Sequence, residues 1–160
     1  MKQKAILSLI CLALFSFTQP STNYLEDKTT GAKVMFFGMD IKAIEVTVNG
    51  EKMTNNIVKE GDKIKIKLRN VTGLIPNSGT KVIVPGEEII VIDSKNKEVV
   101  HSGNLLEGKS VDVKDMEEVY FSAALTIQSQ LANDTYKFQA KFWDTNGSGV
   151  AITEITFTKK

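Results

Sequence analysis

The sequence predicts an all-β protein in which two antiparallel sheets, with about eight or nine short strands in total, pack face to face. Several segments alternate apolar and polar residues with a period of two, which is typical of strands that bury one face. After residue 40, no stretch of ten or more positions places apolar residues at helical spacing. Clusters of Gly, Asn, Asp and Ser separate the alternating segments and predict turns.

The first 20 residues have the pattern of a secretory signal peptide. Lys2 and Lys4 precede an uncharged, mainly apolar run from Ala5 to Phe17. This run is shorter than the ~20 residues that a membrane-spanning helix needs. We therefore expect a secreted or periplasmic protein without membrane insertion, divided into a signal peptide (residues 1–20), a flexible lead-in (residues 21–33) and a single β-sandwich domain (residues 34–160).

The only cysteine, Cys11, lies inside the predicted signal. A lipid-attachment site has small residues before the cysteine, whereas Leu9 and Ile10 are bulky. A lipoprotein anchored through Cys11 is therefore the less favoured alternative, and Cys11 is interpreted as a small hydrophobic residue of the signal. We expect an unmodified mature chain that begins between about Thr18 and Thr22.

Charge and length restrict the possible partners and the fold. The chain has 20 Lys and Arg and 19 Asp and Glu, so loss of the two signal lysines leaves 18 basic and 19 acidic residues, a net charge near −1. This balance does not favour a nucleic-acid partner. The remaining ~140 residues suffice for one domain with a substantial core. Without cysteine, packing and strand pairing must supply the stability.

The first strands are predicted at Val34–Phe37, Ile44–Val48 and Lys63–Arg69, with Asn49-Gly50 as a turn. The third has the clearest alternation, with one apolar face and one basic face. Its inward residues are Ile64, Ile66 and Leu68, and its outward residues are Lys63, Lys65, Lys67 and Arg69.

The run Ile89–Ile92 is continuously apolar, which predicts a central strand covered on both faces. The polar turn Ser94–Lys97 follows, and then the strand Glu98–His101.

Two alternating segments, Glu118–Ser129 and Tyr136–Phe142, are predicted to form a hairpin through the polar turn Leu131–Thr135. The turn Asp144–Gly149 then leads into a last strand, Val150–Thr158. In that strand the apolar residues change parity, from Val150 and Ile152 to Ile155 and Phe157. A bulge near Thr153 or Glu154 would bring both pairs to the core.

The pattern Leu131-x-x-Asp134-Thr135-Tyr136, followed by inward Phe138, Ala140 and Phe142, resembles the tyrosine corner of immunoglobulin-like sandwiches. Phe138 stands where antibody domains have a half-cystine, so the chain is not of the antibody type. The spacing of Val91–Lys95 and of Tyr136–Gly147 is similar to that in sandwich modules of secreted bacterial proteins that bind surface polysaccharides. The resemblance implies an immunoglobulin-like antiparallel β-sandwich and a buried Tyr136 bonded to backbone near Leu131 or Asn133.

Catalytic and metal-binding patterns are weak. The single histidine, His101, lacks a Gly-x-Ser-x-Gly partner motif and is interpreted as an exposed strand-end residue. Asp144-x-Asn146-x-Ser148 resembles the start of a calcium loop, but the twelfth position is Ile155, so a turn is favoured. Neighbours on a strand point to opposite faces, so Glu87-Glu88 and Glu117-Glu118 are interpreted as solvated strand ends. We expect no enzyme activity, no cofactor and no metal.

Outward-facing residues supply the candidate binding sites. Trp143 is predicted to face out beside the Asp144–Gly149 turn and to contact a ligand. Lys141 is predicted to lie beside that ligand, and Tyr120 is a weaker candidate for a further contact. The alternative is that the N-terminal segment covers Trp143. The basic face, with Lys65 and Lys67 at its centre, suits an acidic glycan or headgroup, or it discourages edge-to-edge aggregation.

These observations together predict an exported, non-catalytic module that binds a protein or glycan at the bacterial periplasm or cell surface. The alternative is a structural or assembly subunit that pairs through an exposed strand edge. An enzyme ranks third.

Overall fold

The computed structural model describes residues 22–112 and 119–160, and within these ranges it contains β-strands and no helix. Nine of the thirteen strands have five or more residues. The predicted signal peptide, with Cys11, lies outside the described residues. In chain order the strands are Asn23–Asp27 (β1), Ala32–Phe37 (β2), Ala43–Val48 (β3), Glu51–Lys52 (β4), Ile57–Val58 (β5), Lys63–Arg69 (β6), Val82–Ile83 (β7), Pro85–Ile92 (β8), Glu98–Asn104 (β9), Val111–Asp112 (β10), Phe121–Thr126 (β11), Thr135–Asp144 (β12) and Val150–Lys159 (β13).

The strands form two main sheets. The large sheet has the order β1-β2-β13-β12-β8-β9, with β5 added in parallel to β13, and the small sheet has the order β11-β6-β3-β4. A two-stranded ribbon pairs β10 with β7. The orders β3-β6-β11 and β13-β12-β8-β9 match strands A-B-E and G-F-C-C′ of immunoglobulin-like sandwiches. The prediction of an all-β sandwich is therefore confirmed.

The core lies between the two sheets. Phe121 of β11 stacks on Phe142 of β12, with ring centroids 5.0 Å apart, so aromatic rings join the sheets directly. The alternation predicted for β6 is confirmed, because Ile64, Ile66 and Leu68 are buried. The two-residue alternation of the strands produces this core, because every second side chain of a strand points between the sheets and contributes to one apolar layer.

The turns follow local chemistry. Asn49 and Gly50 join β3 to β4 with positive φ angles of 54° and 89°, as a tight hairpin turn requires. The β12–β13 hairpin closes where the Asp144 amide donates to the Gly149 carbonyl at 2.9 Å. The β8–β9 hairpin also forms at the predicted Ser94–Lys97 turn.

The N-terminal segment differs from the prediction. In place of a flexible lead-in over residues 21–33, Asn23–Asp27 form β1, which pairs with β2 at the edge of the large sheet. A tertiary contact accounts for this ordered strand, because Leu25 packs against the common core. Thr30 also donates its hydroxyl hydrogen bond to Asp27, which stabilises the turn between the two strands.

The predicted hairpin between the β11 and β12 segments is wrong. β11 pairs with β6 in the small sheet, whereas β12 lies between β13 and β8 in the large sheet. The connection crosses from one sheet to the other and buries Leu131 at the edge of the core. Because the two inward faces meet across the sandwich, alternation along the chain does not distinguish this crossover from a hairpin.

The predicted bulge in β13 is also wrong. The register from Trp143↔Val150 to Thr135↔Thr158 is continuous, so Ala151, Thr153 and Ile155 share the inward face. Thr153 is buried without penalty because its hydroxyl donates a 2.8 Å hydrogen bond to the Lys33 carbonyl of β2. Ile152 consequently points outward.

β8 is central in position but is not covered on both faces. It lies between β12 and β9, and its inward residues Ile89 and Val91 are buried. Ile90 and Ile92 on the other face are half-buried. No second layer covers that side, because among the described residues the sandwich has two layers rather than three.

The tyrosine corner is present at the crossover. Tyr136 is buried, stacks on Phe157, and donates its hydroxyl hydrogen bond to the Ala132 carbonyl at 2.9 Å. That acceptor lies between Leu131 and Asn133, where the resemblance placed it. We expect Tyr136→Phe to lower the free energy of unfolding by about 0.5–1.5 kcal/mol, the net value of one hydrogen bond, as measured by chemical denaturation. An unchanged midpoint would mean that the hydroxyl does not hold this corner.

Candidate functional site

The outer face of the large sheet carries a continuous set of apolar side chains. Two cross-strand rows produce it, because the registers align Tyr24 with Met35 and Ile152, and Phe37 with Val150 and Trp143. Residues directly opposite in adjacent antiparallel strands have neighbouring side chains. We call these six residues the outer patch: Tyr24, Met35, Phe37, Trp143, Val150 and Ile152.

The outer patch is accessible to solvent. Tyr24, Met35 and Ile152 are 51%, 47% and 39% exposed, and the other three residues are half-buried. The solvent face of an antiparallel sheet normally carries polar residues, so six adjacent apolar side chains depart from that pattern. Contiguous exposed apolar surface marks interaction sites in soluble proteins.

Trp143 lies flat against the neighbouring strand. It is in register with Gly86 of β8, and a Cβ atom at Gly86 would lie 1.9 Å from Cε2 of the indole. Only glycine therefore allows the ring to pack on the backbone there. Lys141 Nζ lies 5.5 Å from the ring centroid. These contacts hold the indole at a fixed place on the outer face, where Trp143 is partly exposed.

Polar residues border the outer patch on one side. Gln139 Nε2 donates a 3.0 Å hydrogen bond to Glu154 Oε2, and Lys137 Nζ lies 3.8 Å from the same oxygen. Between this border and the patch, Ile90, Lys141 and Ile152 line a shallow depression of about 150 Å³. The face thus combines an apolar area with adjacent hydrogen-bonding groups.

The structure separates the predicted binding residues into two groups. Trp143 and Lys141 lie on the outer face of the large sheet, whereas Lys65, Lys67 and Tyr120 lie on the small-sheet side of the sandwich. Lys67 Nζ is 3.9 Å from the Tyr120 ring centroid, a cation–π contact. Because the two groups face opposite directions, they do not form one site.

His101 lies on the edge strand β9 and is exposed. Its Nε2 is 2.7 Å from Glu88 Oε1, and its Nδ1 is 3.4 Å from Glu98 Oε2. The hydrogen bond with Glu88 raises the pKa of His101 above its usual range. The three side chains form a surface ion-pair cluster.

Asp144 is buried, and its carboxylate accepts two backbone hydrogen bonds. Oδ2 accepts from the Ile75 amide at 2.6 Å and Oδ1 from the Asn146 amide at 3.0 Å. The carboxylate therefore ties the β12–β13 turn to the loop after β6, as a turn-stabilising Asp does.

Two features of the fold were not predicted from the sequence. Glu87 was interpreted as a solvated strand end, which is wrong: it is 7% exposed, because it shares the inward parity of Ile89 and lies opposite Phe142. Glu88 points the other way and is partly exposed, and Glu117-Glu118 lie outside the described residues. The second feature is the outer patch, of which only Trp143 was predicted as a binding residue. The change in the parity of the apolar residues along β13, at Val150 and Ile152, was the sequence signal for the patch.

Comparison with known proteins supports the fold. No family model and no curated protein matches the chain. The crystal structure of the C-terminal domain of Wzt is similar, with a TM-score of 0.52, 11% sequence identity, and coverage of 89% of this chain and 80% of the Wzt domain. At this identity the likeness shows a shared β-sandwich fold. No described segment forms a helix long and apolar enough to cross a membrane.

Proposed function

We propose that the protein is an exported, non-catalytic binding module that holds a partner protein against its outer patch at the bacterial periplasm or cell surface. One observation carries the proposal: six apolar side chains are adjacent on the solvent face of the large sheet, and three of them are 39–51% exposed. Covering such side chains releases water from apolar surface, at about 25 cal/mol per Å².

The composition of the outer patch favours a protein partner. Tyr24, Met35, Phe37 and Trp143 are of the residue types enriched at protein interfaces, and the charged residues lie at the border rather than the centre. The sheet holds these side chains on a rigid backbone, so little conformational entropy is lost on docking.

Export is the second part of the proposal. The basic start and short apolar run of residues 1–20 support removal of a signal peptide. N-terminal sequencing of the protein recovered outside the cytoplasm tests it, since a chain that retains Met1, or one lipidated at Cys11, contradicts this assignment.

We expect Ile152→Glu to weaken partner capture at least tenfold, because it places a charge within the outer patch, next to Met35 and Val150. Thr156→Glu is the matched control, since Thr156 is exposed on the same strand and the same face but outside the patch. Two measurements check this: the amount of partner that each variant recovers from the native envelope, and site-specific photo-cross-linking there with a probe at position 152 or 156 of the otherwise unchanged protein. A defined adduct at 152 alone supports the proposal, and equal or absent cross-linking at both positions contradicts it.

A glycan is the second candidate ligand, favoured by the fixed indole of Trp143 next to Gln139 and Lys141. Affinity electrophoresis against envelope polysaccharides tests it: retardation that Trp143→Ala abolishes, without a protein adduct at position 152, would assign the patch to a glycan.

Pairing through a strand edge has less support. The edge strand β9 pairs with β8 through two register irregularities, and its exposed side chains include the His101–Glu98 pair. Bulges and charges at a sheet edge discourage addition of another strand.

A further inference from the structure

A cavity of about 220 Å³ opens at one end of the sandwich, between the two sheets. The stacked pair Phe121 and Phe142 lines it, together with Ile83, Leu106 and Val111. This site is separate from the outer patch, since it lies on the inner side of the large sheet. Its lining is mainly apolar, and its charged residues among those described are Glu87 and Lys109.

Glu87 lies in the cavity wall and is only 7% exposed as a residue. Its backbone is fixed on both sides, because its amide donates to Asn104 Oδ1 at 3.1 Å and its carbonyl accepts from the Leu105 amide at 2.7 Å. Among the described residues, none donates a hydrogen bond to its carboxylate. Burial alone raises the pKa of Glu87 to about 6.

The remaining polar groups of the cavity do not neutralise this carboxylate. Lys109 is the one cation among the described lining residues, and it is exposed and makes no ion pair with Glu87. At neutral pH, a mostly ionised carboxylate therefore faces the water of a mainly apolar cavity, and no described residue pairs with it. Such a group strongly favours a ligand that supplies both a positive charge and a hydrogen-bond donor.

We propose that this cavity binds a small apolar amine, with its ammonium group donating to the Glu87 carboxylate and its hydrocarbon part packed on Phe121 and Phe142. The volume sets the size of the ligand: a cavity of about 150 Å³ holds benzene, so about 220 Å³ holds one ring with a short alkyl chain. Ligands with a carboxylate are repelled, and purely apolar ligands leave Glu87 unpaired. The assignment is independent of the function proposed for the outer patch.

The test uses 2-phenylethylamine and its neutral analogue 2-phenylethanol, measured by calorimetric titration of the mature protein. We expect the amine to bind more tightly than the alcohol at pH 7.5, and Glu87→Gln to weaken amine binding at least tenfold while changing alcohol binding less than threefold. Glu88→Gln is the matched control, because Glu88 is adjacent in sequence but points to the opposite face. It should leave both affinities unchanged.

The pH dependence supplies a second criterion. With a free-protein pKa of about 6, Glu87 is mostly ionised at pH 7.5 and about one-tenth ionised at pH 5, so amine affinity should fall about tenfold between them. Absence of amine binding, equal affinity in Glu87→Gln, or a pH-independent affinity would each overturn the proposal.

A third readout needs no ligand. The folded-state pKa of Glu87 is raised above the value of 4.5 for the free side chain, so its protonated form is stabilised on folding. That contribution is complete below pH 4.5 and is lost as the pH rises through about 6. We therefore expect Glu87→Gln to raise the urea midpoint at pH 8 and to leave it nearly unchanged at pH 4. Equal shifts at the two pH values would contradict a buried, unpartnered carboxylate.

Discussion

Gly86→Ala is expected to destabilise the protein by about 3 kcal/mol, because the new methyl group occupies the space of the Trp143 indole. The added Cβ would lie 1.9, 2.2 and 2.4 Å from three ring atoms. Gly86 has no positive φ angle, so the loss comes from the clash rather than from backbone strain. Chemical denaturation measures the change.

Two controls separate the clash from other effects. Gly79→Ala is the matched substitution, since an added Cβ there meets only Asn77 Oδ1, at 3.5 Å, and it should cost less than about 0.5 kcal/mol. In the double variant with Trp143→Ala, Gly86→Ala should lose most of its cost, which appears as a coupling energy in a double-mutant cycle. If Gly86→Ala behaves like Gly79→Ala, the indole does not rest on Gly86.

This packing also affects the binding experiment. The indole loses its contact with Gly86 in Trp143→Ala, so that variant changes stability together with the shape of the outer patch. Ile152→Glu is the cleaner probe, because Ile152 is exposed and its side chain faces solvent.

Lys159→Met is expected to lower the free energy of unfolding by about 3 kcal/mol, because it removes a buried ammonium group that donates hydrogen bonds to backbone carbonyls, one of them buried. The residue is buried at the end of β13, and its ammonium group donates to the carbonyls of Gln128, at 3.1 Å, and Leu131, at 2.5 Å. These carbonyls belong to the crossover that also carries the acceptor of Tyr136. Methionine fills a similar volume but donates no hydrogen bond.

Lys160→Met is the matched control, since Lys160 is the next residue and is exposed. It removes the same charge and should change the unfolding midpoint little. A Lys159→Met variant as stable as Lys160→Met would show that the crossover does not depend on this ammonium group. Hydrogen exchange of the amides of residues 128–134 should also increase in Lys159→Met alone.

The fold class, the positions of most of the longer strands and the inward residues of those strands were predictable from the amino-acid sequence. β6 and β12 were predictable because period two is a local property: each side chain's direction follows from its neighbour's. The Asn49-Gly50 and Asp144–Gly149 turns were predictable for the same reason, since residue chemistry sets their φ angles. Trp143 was placed on the outward side of β12 by this parity alone.

Strand partners and side-chain contacts, in contrast, depend on residues that are distant in the sequence. β11 and β12 are close in sequence but lie in different sheets, whereas Thr153 is buried because a carbonyl 120 residues away accepts its hydrogen bond. Glu87 entered the cavity because its strand parity is fixed by β12, and the outer patch formed because the registers of β1, β2 and β13 align it. Alternation along a strand specifies the direction of each side chain. The register between strands that are distant in sequence specifies which side chains become its neighbours, and the free energy of that pairing depends on the whole sheet.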